Sequence, residues 1–189
     1  LTRMISIDSE LYRTHPDFLM QVPGRMPSAS RSQHVLDFTR LDVRQTIEKQ
    51  MRKILDTIPL DYIKWDMNRS LSDIYSITLD PLRQGEVAHR YMLGLYELLE
   101  HLTADYPEIL WEGCSGGGGR FDAGFIYYMP QSWTSDNTDA VERMKIQYGT
   151  SLAYPISSIT AHVSAVPNHQ TGRSTSLKTR GETAMSAVF

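Results

Sequence analysis

Two aspartates carry the chemistry to be expected of this sequence. Asp66 lies in the run Asp61-Tyr62-Ile63-Lys64-Trp65-Asp66-Met67-Asn68-Arg69, where a short apolar-rich stretch ends in a burst of charge. A buried strand that delivers catalytic groups into a solvent-facing cleft has this composition. Strand periodicity puts Tyr62, Lys64, Asp66 and, with continued extension, Asn68 on one face, so the carboxylate is flanked by an ammonium and an amide. That describes an activated, ionised aspartate. A surface strand end carrying solvated charges reads the same way over nine residues, because structural ion-pair networks share the pattern.

The second aspartate is in Trp133-Thr134-Ser135-Asp136-Asn137-Thr138-Asp139-Ala140. Asp136 shares strand parity with Ser132 and Thr134, whereas Asp139 falls where a helix begins and suits a cap. Asp136 is therefore taken for chemistry and Asp139 for structure. Carboxylates on neighbouring or next-neighbour strand ends make a general acid/base or nucleophile pair. With Lys64 close by, Asp66 is the one expected to be ionised, and Asp136 the one able to carry a proton. A retaining glycosidase requires that division of roles, with carboxyl groups about 5–5.5 Å apart.

Other motifs are weaker. The run Gly116 to Gly119 lacks the Lys-Ser/Thr of a P-loop and the spacing of a dinucleotide fingerprint. Following a strand, it is better suited to letting backbone amides approach a ligand, with Arg120 closing the loop; a flexible linker is the plainer alternative. Cys114 reads as a small packed residue, with no His and Asn placed to make it a nucleophile. The six histidines form no HxH or HExxH cluster, so no metal site is expected. His89 reads as structural; His162 and His169 lie near strand ends, where a structural role is favoured over pocket lining. Trp65, Trp111 and Trp133 suit either sugar stacking or the core.

These residues need elements to hold them. Residues 1–32 read as a long loop with a helical turn near Ser9 to Tyr12. Strands are expected at Gln33 to Phe38, from Asp61, at Glu108 to Glu112, Gln131 to Ser135 and Ser157 to His162. Helices are expected at Leu41 to Thr57, Gln84 to Thr103, Phe121 to Tyr128, Thr138 to Leu152 and Thr175 to Ala187. Five strands alternating with helices imply an α/β fold with a parallel sheet of βαβ units. Asp37, Asp66, Cys114, Asp136 and His162 fall at successive strand ends, which favours a (β/α)8 barrel over an open doubly wound sheet with one switch point. Eight strands take about 250 residues. The 189 residues are therefore expected to form one partial TIM-barrel segment.

Bulk properties exclude several classes. The chain is 41% hydrophobic and 22% charged with net charge −3, which argues against nucleic-acid and membrane-surface partners. No apolar run reaches the roughly 18 residues of a membrane span, and the N-terminal residues show no signal-peptide core. One cysteine excludes an internal disulfide and fits a reducing compartment.

The motifs around Asp66 and Asp136, together with Glu112-Gly113-Cys114-Ser115-Gly116-Gly117-Gly118-Gly119-Arg120-Phe121-Asp122 and Tyr154-Pro155-Ile156-Ser157-Ser158, resemble the catalytic barrel of family 36 glycoside hydrolases, the α-galactosidases. The likeness runs over nearly the whole chain. It implies hydrolysis of terminal α-1,6-linked galactose from melibiose- or raffinose-type oligosaccharides by double displacement, with Asp66 as nucleophile and Asp136 as acid/base. Arg31, Lys64 and Asn68 would hydrogen-bond the galactose, and Cys114 and Gly117 would wall the C2 hydroxyl. The resemblance also implies a small-molecule α-galactoside as partner, no cofactor, a cytoplasmic location and a homo-oligomeric full-length protein. It places this chain at about strands three to seven. The family's N-terminal β-sandwich, the paired aspartates of its first barrel strand and its last strand have no counterpart here. Two alternatives stand beside this reading: an α-N-acetylgalactosaminidase or transglycosylating relative, and a segment that turns nothing over.

Overall fold

The structure, a computed structural model, describes residues 4–187 apart from 117, 118 and 120. It divides into two units: one takes the residues up to Asp61 together with Arg69–Ile109, the other Tyr62–Asn68 with the residues from Leu110 on.

The first unit is built on two helices, α2 (Leu41–Leu55) and α3 (Val87–Asp105). In α2 the buried residues Val43, Ile47, Met51 and Leu55 recur every four positions, and in α3 Val87, Tyr91, Leu95, Leu98 and Leu102 do the same job at spacings of three and four. Each pattern gives one buried apolar stripe, and the two helices lie against each other with the ion pairs Arg44–Glu97 and Arg52–Asp105 between them. A short helix, α1 (Glu10–Thr14), is capped by Ser9, whose hydroxyl accepts from the Tyr12 amide at 3.1 Å.

The same unit holds a two-stranded antiparallel sheet, β1 (Met4–Ser6) with β2 (Gln33–Val35). This departs from the single parallel sheet of five strands expected from the sequence. Around β2 the backbone is engaged by β1, by the Met20 amide, which donates to the Val35 carbonyl, and by the Phe18 carbonyl, which accepts from the Asp37 amide. Leu36 also bridges Leu19 in antiparallel fashion. Local antiparallel partners have taken the ladder that a parallel neighbour would need.

The second unit is a four-stranded parallel sheet in the order β3 (Tyr62–Asp66), β4 (Leu110–Cys114), β5 (Gln131–Trp133), β6 (Ile159–Thr160). Strand order follows chain order with no reversal, as in a barrel wall and unlike a doubly wound sheet. The described residues form no closed barrel. Trp65, Met67, Trp111, Phe125, Met129 and Ile159 are buried here, the first and third with rings 6.2 Å apart. Gly113 in β4 makes room for α4 (Ala123–Tyr128): a Cβ on it would lie 2.5 Å from the Phe125 ring. Two more helices, α5 (Ala140–Ser151) and α6 (Leu177–Met185), pack together. Among the described residues no helix is long and apolar enough to cross a membrane.

Candidate active site

Parallel strands point their C-terminal ends the same way, so β3, β4 and β5 bring Asp66, Cys114 and the Ser135–Asp136 turn to one end of the sheet. Asp66 is the last residue of β3 and is paired in register with Cys114, the buried last residue of β4. Asp136 follows β5 by three residues, two strands from Asp66, a backbone spacing of about 10 Å.

Asp66 is held on one side only. Its Oδ2 accepts from the side-chain amide of Asn68, while its Oδ1 is buried and has no hydrogen-bond partner among the described residues. Asn68 is itself aimed: its Oδ1 accepts from the Gly116 backbone N–H at 3.1 Å, which turns the NH2 group towards Asp66. Gly116 has φ +55°, a left-handed conformation that glycine adopts without strain. The first glycine of the loop thus positions, through Asn68, the carboxylate on the neighbouring strand. Gly117 and Arg120, both singled out in the sequence, lie outside the described residues.

Lys64 does not take the place expected for it. Its ammonium pairs with Glu112 at 2.9 Å and lies 4.8 Å over the Trp133 ring. Glu112, in the middle of β4 and 5% exposed, was not picked out by sequence reasoning and is the hub of the sheet's polar face. It accepts from the Tyr62 hydroxyl, from Lys64 and from Thr160 Oγ1 at 3.0 Å, tying β3, β4 and β6. A charged residue amid a strand, between Trp111 and Gly113, was the available signal. Desolvation and the bond to Glu112 push the Tyr62 phenol above the ordinary tyrosine range, so it remains a donor.

Tyr62, Lys64, Glu112, Gln131, Trp133 and His162 contribute to the lining of a cavity of about 420 Å³. His162 stacks on Trp133 with centroids 4.8 Å apart. Desolvation, then the charges of Arg143 and Lys64, hold it below the ordinary imidazole range. Of the three tryptophans, Trp65 and Trp111 are core, and Trp133 faces the cavity.

Asp136 is exposed, and its Oδ1 accepts from the Trp133 indole N–H at 2.9 Å. Asp139 behaves as a cap: it is 1% exposed and accepts from the Val141 and Glu142 amides at 2.9 and 3.1 Å. Burial alone would raise its carboxyl, but the Thr171 hydroxyl, those amides and Arg173 hold it below the ordinary range. Arg31 belongs to the first unit, at the tip of a two-residue turn closed by reciprocal backbone bonds between Ser30 and Gln33. Arg31 and Ser32 have φ +53° and +58°, strain that clusters at functional positions.

This arrangement can do a specific chemistry: a carboxylate with one pinned and one unengaged oxygen, and a second, solvent-reaching carboxyl at the same sheet end. Among the described residues no His, Cys, Asp and Glu group has the arrangement to hold a metal ion.

The family model described as Melibiase matches residues 2–189. Alpha-galactosidase 1 of Pediococcus pentosaceus is 68% identical over 186 residues, 98% of this chain and 25% of its own length. The crystal structure of GH36 alpha-galactosidase AgaA from Geobacillus stearothermophilus superposes with a TM-score of 0.95 at 60% identity, over 98% of this chain and 26% of that one. A variant of AgaA in complex with raffinose superposes at 0.96 with 59% identity and the same coverage. The chain spans about a quarter of the length of these relatives.

Proposed function

The chain belongs to the Melibiase family, and from that membership we propose that the protein hydrolyses terminal α-1,6-linked galactose from raffinose-type oligosaccharides with retention of configuration. The observation that carries the reading is the asymmetric seating of Asp66 at the C-terminal end of β3, with Oδ2 held by Asn68 and Oδ1 without a hydrogen-bond partner among the described residues. A nucleophilic carboxylate keeps one oxygen fixed by a donor and leaves the other uncommitted to one.

Asp66 attacks that carbon to form a covalent galactosyl-enzyme while Asp136 gives its proton to the departing oxygen. Asp136 then takes a proton from water, which attacks the same carbon and restores Asp66. Lys64 keeps two N–H groups beyond the one directed at Glu112, and these serve the galactose hydroxyls together with Asn68. Cys114, the last residue of β4, bounds the C2 side. The substrate named for the AgaA complex supports the choice of raffinose-type sugars.

The test uses the full-length protein and a nitrophenyl α-galactoside. Asp66→Ala is expected to abolish turnover, and NMR of the first-formed product of the wild type should show α-galactose. Undiminished activity of Asp66→Ala, or β-galactose as first product, would overturn the assignment.

A further inference from the structure

Arg143 is a buried cation. It lies in α5 with 4% of its surface exposed, and every hydrogen-bond acceptor it has among the described residues is neutral. A buried cation without a carboxylate costs several kcal/mol, and an apolar side chain of similar volume would fill the space without that penalty.

What the guanidinium does is grip the end of the sheet beside Asp136. Nη1 donates to the Ser135 carbonyl at 3.1 Å and Nη2 to the Thr160 carbonyl at 2.9 Å, so one planar fork spans the ends of β5 and β6. Its carbon lies 4.7 Å from the centroid of the Trp133 ring, whose N–H donates to Asp136. The Ser135 carbonyl belongs to the peptide that leads into Asp136. Arg143 thus holds the backbone before Asp136 and the ring that anchors its side chain. Nε donates to Gln147 Oε1 at 3.0 Å, and Gln147 is fixed in turn by the Thr183 carbonyl and the Ser186 hydroxyl at the end of α6. Asp136 is exposed, so its position depends on this support rather than on packing around it.

We propose that Arg143 is a positioning residue for Asp136, holding the Ser135 carbonyl and the Trp133 indole so that Asp136 stays within reach of the leaving-group oxygen. The proposal rests on Asp136 being the acid/base. A proton donor must lie within hydrogen-bond distance of the atom it serves, and a misplacement of about 1 Å can cost about a hundredfold.

The experiment compares two substrates in the full-length protein: raffinose, whose sugar leaving group needs a proton, and dinitrophenyl α-galactoside, whose leaving group does not. The ratio of their kcat/KM values cancels the fraction of folded enzyme. Arg143→Met is expected to lower the ratio of raffinose to aryl galactoside by about 10- to 100-fold, with Arg143→Lys between it and the wild type. Azide should accelerate aryl galactoside turnover by Arg143→Met, giving α-galactosyl azide. Trp133→Phe keeps the ring but removes the donor to Asp136, and it should lower the ratio too, so the test survives a failure of Arg143→Met to fold. An unchanged ratio in Arg143→Met, or in Trp133→Phe where that variant alone is soluble, overturns the proposal. Asp136→Ala is the control: if it too leaves the ratio unchanged, the acid/base assignment itself falls.

Discussion

Replacing Glu112 by Gln changes one charge in a group that three strands share. The carboxylate accepts from the Tyr62 hydroxyl, the Lys64 ammonium at 2.9 Å and Thr160 Oγ1 at 3.0 Å. Gln keeps one oxygen for Lys64 and Thr160, but it offers an NH2 group to Tyr62, whose hydroxyl must turn and accept. A hydrogen bond to a charged group is worth about 1 kcal/mol more than a neutral one. The Lys64 side chain is 40% exposed, so its share is screened to well under that. Part of the remainder is returned because an amide is easier to desolvate than a carboxylate. The expected loss is about 1–2 kcal/mol. Glu112→Leu removes both oxygens and leaves the buried Thr160 hydroxyl without its acceptor, while the part-exposed Tyr62 hydroxyl and Lys64 ammonium turn to solvent, for about 2–3 kcal/mol. Urea unfolding of the full-length protein at neutral pH measures both. The folded Tyr62 phenol titrates above its unfolded value, so its contribution is complete below about pH 10 and is lost only at more alkaline pH. The Tyr62 share of the deficit should therefore not vary between about pH 6 and 9. Freed from Glu112, Lys64 should also raise KM more than it lowers kcat. A Glu112→Gln variant within about 0.3 kcal/mol of wild type, with Glu112→Leu no worse, would refute the view that this carboxylate holds the sheet's polar face together.

Two further predictions concern pH. Asp37 is fully buried, accepts from the Thr39 amide and hydroxyl at 3.1 and 2.6 Å, and has one oxygen without a partner among the described residues. Burial pushes its carboxyl up despite those bonds, so its contribution is complete below the unfolded value of about 3.9 and is lost as pH rises through the folded one. Asp37→Asn should therefore gain in Tm relative to wild type between about pH 4 and 7; a constant difference across that range would sink this account. Asp139 has the opposite sign, with a depressed carboxyl whose contribution is present above the unfolded value and disappears as pH falls through the folded one. Asp139→Ala should cost about 1–2 kcal/mol for the lost α5 cap at neutral pH, shrinking in acid, and a deficit that instead grows below about pH 4 in thermal melts would contradict the cap.

What could be read in advance was whatever lies close in sequence. The α2 and α3 stripes follow from a period of 3.6, and the Asn68–Asp66 pairing from strand parity two residues apart. Asp139 as a cap follows from its place before α5. The errors are all of register, which one chain does not display. Lys64 and Asp66 are two residues apart on one strand, about 6.6 Å along it, whereas the residue in register on the next strand is about 4.8 Å away. Glu112 is that residue, so it takes the ammonium that parity alone assigned to Asp66. The pairing of the Gln33 to Phe38 stretch differs for the same reason, because its antiparallel neighbours arrive from Met4–Ser6 and Leu19 rather than from a βαβ unit. Arg143 was invisible in another way: a cation on a helix reads as solvent-facing until the carbonyls it serves, eight residues before it and seventeen after, are seen to meet there. The two aspartates stand out in the sequence because their strands announce them. The groups that aim them are Gly116 through Asn68 for the first, and Trp133 with Arg143 for the second. Those lie on other elements, and it follows that variants of the supporting residues, more than of the aspartates, will discriminate between this geometry and any other that places the same two carboxyls at one sheet end.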